Sequence, residues 1–356
     1  MADVGLTTRE RAGRAGAAAF GSNWRPDRLA VAPGRIELLG NHIDYNGGPV
    51  LCAAIDRSVV VLADAAGVRD EIAAVPADAP EPGVARIQAA AGDWRNPSPP
   101  PNTFDYVRGT IAAAAQTNRP IRGGTRLAIA GNVPIGFGLS SSAALCVGLA
   151  LASLEGRAPF ADLVLLAQDA EHRAGTPCGT MDQSASVAGG VIRYDGATLA
   201  IEQLRPDLGD LVFAVADSGV ERSLGASSYP VRVRESQEAL AFARRVLGRD
   251  IPHLAALSAA DVDRLAAGSD PLPEPLLSRV RHVVAETERV REGAMALAAG
   301  DWPRFGRLMI ASGRSSATLY EISHPRVEEL VAEALAVDGV LGARMMGGGE
   351  GGTALV

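Results

Sequence analysis

The sequence predicts a two-domain protein built from both strands and helices. At 356 residues the chain is too long for one ordinary core. Up to about residue 190, strand-like runs are interspersed with short helical patterns; from about 191 onward strands interleave with longer helices. The expected division is therefore 1–190 and 191–356. With 47% hydrophobic and 21% charged residues, the composition is that of a globular, enzyme-sized protein.

Taken in order, residues 5 to 20 read as an amphipathic helix. Leu29 to Ala32 reads as a short apolar strand leading to a turn at Pro33-Gly34. Ile36, Leu38 and Leu39 predict a strand that stops at Gly40. The polar cluster Asn41, His42, Asp44, Tyr45 and Asn46 follows, closed by Gly47-Gly48. Such clusters at strand ends hold hydroxyl-rich ligands, although each member singly also suits an Asx-type turn. Val50 to Ala63 predicts further strands, 66 to 92 strand and turn of an extended sheet, and the proline-rich stretch 92 to 103 a loop. Trp94 and Tyr106 are candidates to flank an adenine ring, or else ordinary anchors. Asp105 to Gln116 reads as a helix and Arg126 to Ala130 as a strand.

Pro134 to Leu145 is the stretch with the clearest chemistry. Gly136 and Gly138 let the backbone approach a ligand and take a positive φ. Ser140, Ser141 and Ser142 then put hydroxyls and amides at the start of a helix running through Ala143 to Ala152, where unpaired N–H groups and the helix dipole favour phosphate. The same pattern is compatible with a plain helix cap. A helix over 161 to 173 carries Glu171 near its end, and a Gly/Pro-rich loop delivers Asp182 to a helix start. A carboxylate so placed can accept a proton from a substrate hydroxyl in phosphoryl transfer, or simply cap the helix. Beyond 191 the sequence predicts a strand at Leu211 to Ala216 and a polar loop from Asp217 to Pro230. Helices follow over 232 to 247, 276 to 299 and 302 to 319. Gly347 to Gly352 has five glycines in six positions, a loop for close backbone approach or a flexible tail.

The chain has no lysine, so all 34 of its basic side chains are arginine. That excludes a Walker P-loop, a protein-kinase fold and pyridoxal chemistry, each of which needs a lysine. A net charge of -7 without a basic tract argues against nucleic-acid binding. Cys52, Cys146 and Cys178 form no CxxC pair, which points to a reduced, cytoplasmic setting. Neither a signal-peptide core nor an apolar run long enough for a membrane span is apparent.

Three stretches in order resemble the motifs of the kinase superfamily of galactose, homoserine, mevalonate and phosphomevalonate kinases, and within it the galactokinases. Ala32 to Gly48 is similar to the galactokinase signature, Val133 to Ala144 to the family's phosphate loop, and Pro177 to Gln183 to the segment with the catalytic aspartate. Ser223 to Arg232, Arg281-His-Val-Val284 and the terminal glycine loop also match, so the resemblance spans roughly residues 30 to 356. It implies a two-domain α+β GHMP kinase fold. The N-terminal lobe would be ribosomal-protein-S5-domain-2-like and the C-terminal lobe ferredoxin-like, with the active site in the cleft.

The resemblance further implies ATP-dependent phosphorylation of a monosaccharide at its anomeric hydroxyl. Asp182 is then base or orienter toward that hydroxyl, while Arg35 stabilises the transferred group and keeps Asp182 ionised. Asn41, His42, Asp44, Gly179 and Tyr229 would contact the sugar. Pro134, Gly136, Gly138, Leu139, Ser140, Ser141, Ser142 and Ala143 would cradle the ATP phosphates, and Ser142 with Glu171 would reach Mg²⁺. The expected partners are small molecules, with no nucleic acid or membrane, and the expected state is a monomer or weak homo-oligomer.

Three departures stand out. Asn41 occupies a position where galactokinases usually carry a glutamate that helps hold the sugar's C6 hydroxyl, which opens galacturonate, arabinose or an amino sugar such as N-acetylgalactosamine beside galactose. Glu350 replaces an apolar aromatic in the last glycine loop, where a carboxylate would repel phosphate. The chain also stops at Val356, soon after a loop that the family follows with further strand and helix, implying marginal stability or dependence on a partner. Together these departures keep a non-catalytic sugar and ATP sensor in view.

Overall fold

The computed structural model describes residues 6–78, 83–90, 92–96, 100–117, 119–154, 156–220 and 228–356. The chain forms two compact units. The first comprises Met1–Arg35, Ile55–Ile135 and Ser140–Val187; the second comprises Ile36–Ala54, Gly136–Leu139 and Ala188–Val356. Two early segments, 36–54 and 136–139, thus group with residues 188–356.

The first unit opens with α1 (Thr8–Phe20), started by a capping box in which Thr7 and Glu10 bond each other's backbone amides. Strand β1 (Arg28–Leu39) runs straight through Pro33-Gly34, so the turn expected there does not form. An extended backbone suits the proline ring where no ladder N–H is needed, and Gly34 does not adopt a positive φ. Strand β2 (Pro49–Asp64) is one 16-residue strand. Its second half pairs antiparallel with β5 (Arg126–Gly131), which pairs parallel with β3 (Glu71–Pro76), and β3 pairs antiparallel with β4 (Ala85–Gln88).

Helix α1 lies on this sheet, where Ala12 and Trp24 bury against Val60, Leu62, Val75, Ala128 and Ala130. Helices α2 (Thr103–Ala115), α3 (Ser141–Ser153) and α4 (Phe160–Ala174) pack on one another. Their approach is close, since a Cβ on Gly109 would sit 2.4 Å from the carbonyl oxygen of Ala170. Helix α3 is buried almost all round from Ala143 to Ala150, which is why its sequence is apolar without a polar stripe. Helix α5 (Met181–Ala188) closes the unit.

In the second unit the first half of β2 pairs antiparallel with β6 (Val191–Asp195), and β6 with β7 (Ile201–Leu204). A separate antiparallel sheet has the order β8 (Val215–Asp217), β10 (Thr353–Leu355), β9 (Arg344–Met345). The strand expected at 211–216 is therefore confined to its end, where β10 supplies a three-residue partner. Helices α6 (Tyr229–Leu247), α8 (Leu276–Ala299) and α9 (Trp302–Thr318) match their expected spans closely. Helices α7 (Ala259–Ala267) and α10 (Pro325–Leu335) complete the unit. Gly293 brings α8 against Leu39 and Leu51, since a Cβ there would lie 2.5 Å from the Leu39 side chain. Among the described residues no helix is long and apolar enough to cross a membrane.

A buried ion pair locks the first unit. Arg126 donates from Nε to Asp64 Oδ1 at 2.7 Å and from Nη2 to Oδ2 at 2.5 Å, and also bonds the side chain and carbonyl of Asn23. The guanidinium lies 5.3 Å from the Phe20 ring centroid and 5.4 Å from that of Trp24. Burial by itself would raise the Asp64 pKa, but hydrogen bonds from Arg126 and from the Arg25 and Ala66 amides bring it below the usual carboxylate value. Asp64→Ala strands a buried guanidinium and is expected to cost about 3–5 kcal/mol, read from denaturant midpoints. In the wild type, the stability contributed by Asp64 is present above the ordinary carboxylate pKa and is lost as pH falls through the lowered one. The variant should show a shallower acid limb.

Candidate active site

In the first unit, residues 147 positions apart meet. Arg35 on β1 donates from Nε at 2.9 Å and from Nη2 at 2.7 Å to Oδ1 of Asp182, the second residue of α5. Ser140 donates its hydroxyl to the other carboxylate oxygen at 2.7 Å. Both oxygens of Asp182 are thus oriented while its side chain keeps 23% exposure, against 5% for Arg35. This is a carboxylate fixed in direction yet reachable by a ligand. Gly179 stands in the loop leading into α5, three residues before Asp182.

Glu171, buried on α4, is hydrogen-bonded by the Gln183 amide and by Ser142. Burial raises its pKa to about 7, and the nearby Asp182 charge adds to the rise, with the hydrogen bonds and Arg35 opposing it only partly. A buried carboxylate beside a serine hydroxyl, held up in pKa by a second carboxylate, is a donor set that a hard divalent cation would relax. Ser142 and Glu171 therefore fit the ion expected from sequence. Tyr106 spends its hydroxyl on Thr176 at 2.8 Å, and Trp94 lies 6.0 Å from the Arg108 guanidinium, so each has a partner within the protein.

The glycine-serine segment has the backbone that an anion cradle requires. Gly136 and Gly138 have φ of +85° and +67°, and Ser140 takes the left-handed conformation at +61°. Pro134 and Gly136 are exposed, whereas Leu139 and Ala143 are buried and anchor the ends of the segment. Phe137 is pinned by its carbonyl oxygen, which accepts from Thr353 Oγ1 at 2.9 Å. Ser141, Ser142 and Ala143 are the first residues of α3, so their amides have no carbonyl within the helix to bond. The Ser140 side chain does not cap α3; its hydroxyl is the one on Asp182.

In the second unit, β1 ends at Leu39 and Gly40 turns the chain at φ +106°, where a Cβ would sit 2.8 Å from Val50 Cα. His42 follows at φ +59°, with Nδ1 2.8 Å from the Tyr45 hydroxyl, which lies 3.0 Å from that of Tyr320. Asp44 is buried in the same turn. Tyr229, the first residue of α6, puts its ring 5.1 Å from His42 and 5.4 Å from Tyr45. Four residues expected at the sugar, 41, 42, 44 and 229, thus belong to one unit and include a contact across 187 positions of sequence.

Asn41 is fully buried and its side chain points into the protein. Nδ2 donates to Glu37 Oε2 at 3.2 Å and to the Gly347 carbonyl at 2.7 Å, while Oδ1 accepts from Ser316 at 3.0 Å. Glu37 in turn accepts from Arg344 at 2.7 Å, both side chains being buried. Glu350 likewise has an internal partner: its carboxylate accepts from the Ser228 amide at 2.9 Å, at the start of α6, and its own amide donates to the Ile322 carbonyl at 2.7 Å. The negative charge sits where a helix N-terminus favours it, in place of the expected repulsion of phosphate. Of the matched stretch 223–232, residues 223–227 lie outside the described residues.

Sequence reasoning did not single out Glu37, Gln183, Tyr320 or Glu286 as parts of these arrangements. Glu37, Gln183 and His282 lie within the matched runs 32–48, 177–183 and 281–284 but received no role there, whereas Tyr320 and Glu286 lie in none of them. A polar residue in a linear pattern does not name its partner.

The profile described as the galactokinase galactose-binding signature matches residues 17–65. The GHMP kinases N terminal domain matches 105–190 and the GHMP kinases C terminal domain 294–356. The chain is 38% identical over 350 residues to the galactokinase of Roseiflexus sp. (strain RS-1), covering 92% of this chain and 82% of that one. It is 35% identical to the galactokinase of Homo sapiens with the same coverage. The crystal structure of Lactococcus lactis galactokinase complexed with galactose superposes with a TM-score of 0.87 at 30% identity, over 98% of this chain and 89% of that one. Methanococcus jannaschii mevalonate kinase, at 16% identity and a TM-score of 0.62 over 94% and 91% of the two chains, shares the fold.

Replacing Glu350 by alanine removes the acceptor at the start of α6. The expected loss is about 1 kcal/mol of stability in urea titration, with Glu350→Gln recovering part of it through its amide oxygen.

Proposed function

The chain belongs to the galactokinase family, and we propose that it transfers the γ-phosphoryl group of ATP to the anomeric hydroxyl of galactose, giving galactose 1-phosphate and ADP. The observation that carries this reading is the Arg35 and Asp182 ion pair with Ser140 on its far side, a carboxylate oriented at both oxygens and still partly exposed. Asp182 takes the proton of the anomeric hydroxyl as that oxygen attacks the γ-phosphorus. The bond from the γ-phosphorus to the bridging oxygen breaks, and ADP leaves. Placement contributes more here than basicity, because the transferring group is already electrophilic and catalysis lies in position and charge. Arg35 holds Asp182 to one direction and lends positive charge to the phosphoryl group in flight.

The remaining roles follow from chemistry. The amides at the start of α3 and the backbone at Gly136 and Gly138 receive the ATP phosphates. Mg²⁺, when bound, neutralises phosphate charge, and Ser142 and Glu171 are the residues to hold it. His42, Asp44, Gly179 and Tyr229 bind sugar hydroxyls. Asn41, its amide spent on Glu37, Gly347 and Ser316, acts on the sugar by shaping the turn.

Galactose is favoured over sugars altered at C6 or C2 by the galactokinase relatives and by the galactose in the Lactococcus lactis complex. Retention of both Arg35 and Asp182 favours an enzyme over a non-catalytic sensor.

Coupled ADP release should report turnover with galactose well above that with galacturonate, arabinose or N-acetylgalactosamine. Asp182→Ala should abolish it while ATP affinity changes by less than about twofold. Turnover by that variant at the wild-type rate would sink the assignment. Glu171 supplies a second check. Because burial raises its pKa to about 7, binding of a magnesium complex of an ATP analogue at pH 7 should release a fraction of a proton. Calorimetry in two buffers of different ionisation enthalpy measures this, and Glu171→Gln should remove it. In the metal-free protein the raised pKa also means that the contribution of Glu171 to stability declines as pH rises from the ordinary carboxylate range toward 7.

A further inference from the structure

We propose that His282 and Glu286, one helical turn apart on α8, are positioning residues for sugar recognition, holding the backbone at Gly40 and Asn41 and so setting where His42 and Asp44 stand. The proposal rests on the galactose kinase reading above. Glu286 is fully buried. Its Oε1 accepts from the Gly40 amide at 2.9 Å, from the Asn41 amide at 3.4 Å and from the Ser312 hydroxyl at 2.6 Å. Its Oε2 accepts from Arg289 Nε at 2.6 Å. His282 Nε2 lies 2.9 Å from the Asn41 carbonyl oxygen, and its Nδ1 lies 2.8 Å from Ser315 Oγ.

A carbonyl oxygen can only accept, so Nε2 carries the proton and Nδ1 accepts from Ser315. The ring is therefore the neutral Nε2–H form, in keeping with a pKa that burial pushes down to about 4. Burial would raise the Glu286 pKa, but the charge of Arg289 above all, with that of Arg344 and the Ser312 hydrogen bond, carries it down to about 2, so the carboxylate stays ionised as the acceptor of those bonds.

Three backbone polar groups of two adjacent residues, the Gly40 amide, the Asn41 amide and the Asn41 carbonyl, are thus satisfied by side chains of one helix face. They belong to the turn that presents His42 and Asp44, and nothing apolar could replace their partners without leaving buried groups unmet. The same turn is held from its other side by the Asn41 side chain on Glu37, Ser316 and Gly347. A loop so constrained has one conformation to offer a ligand, which is the condition for recognising a pattern of hydroxyls.

The test is steady-state kinetics with galactose and ATP varied separately, together with thermal unfolding and amide hydrogen exchange of residues 40–48. Glu286→Ala should raise KM for galactose about tenfold or more, with KM for ATP changed by less than about twofold. Glu286→Gln, whose amide oxygen can still accept from Gly40 and Ser312, should recover most of that loss. His282→Ala should act in the same direction, about three- to tenfold, and decides the matter if Glu286→Ala does not fold. A lowered Tm with an unchanged KM for galactose, or equal rises in both KM values, would overturn the proposal, since either is what a merely structural role predicts. Absence of galactose turnover in the wild type overturns the reading of function instead. The pair is then judged by exchange alone: faster exchange at 40–48 in His282→Ala supports it, and unchanged exchange refutes it.

Discussion

A charge buried in a fold must be met inside it, and a chain without lysine has only arginine to offer its carboxylates as a permanent cation. Asp182 is met by Arg35, Asp64 by Arg126, Glu37 by Arg344 and Glu286 by Arg289. A guanidinium is planar and presents several donors in fixed directions, so it sets the orientation of a carboxylate besides neutralising it. These pairs do different work within their own units. Arg126 stands at the start of an inner strand over Phe20 and Trp24, Arg344 and Arg289 sustain the polar groups behind the turn at Gly40, and Arg35 fixes the direction of Asp182.

Glu171 is the informative contrast. Its hydrogen bonds come from a serine hydroxyl and a glutamine amide, and burial lifts its pKa to about 7. Two carboxylates of one unit, Asp182 and Glu171, are thereby given different electrostatic settings. Separation of this kind is how a fold assigns different tasks to chemically equal groups. In the proposed function the arginine-bound carboxylate takes the hydroxyl proton, and the other is the one to meet a cation.

The resistance of this site to sequence reading is uneven. The glycine-serine segment, Asp182 at a helix start and the turn after Gly40 were legible because each is a local matter: positive φ, helix-end amides and chain reversal are written in neighbouring residues. Pro33-Gly34 misled because proline and glycine mark turns on average, yet an extended backbone accepts both where no ladder bond is required. Asn41 and Glu350, read as departures that would alter the ligand site, turned out to spend their side chains on Glu37, Gly347 and Ser316 and on the Ser228 amide. A side chain's direction depends on what packs beside it, and that is absent from a linear pattern.

By itself the sequence determined the kind of chemistry. Lysine-free composition excluded several ways of holding or activating a ligand, and the order of a sugar-type turn, a phosphate-type loop and an aspartate at a helix start left a phosphoryl transfer to a hydroxyl as the reading. Tertiary structure alone decided which groups act on which. It brought Ser140 to Asp182, Tyr229 to His42, and Glu286 with His282 to the backbone of Gly40 and Asn41. The reason is that hydrogen bonds and ion pairs are contacts of about 3 Å between groups up to hundreds of positions apart in the chain. Local propensity sets the elements, but only their packing sets those distances.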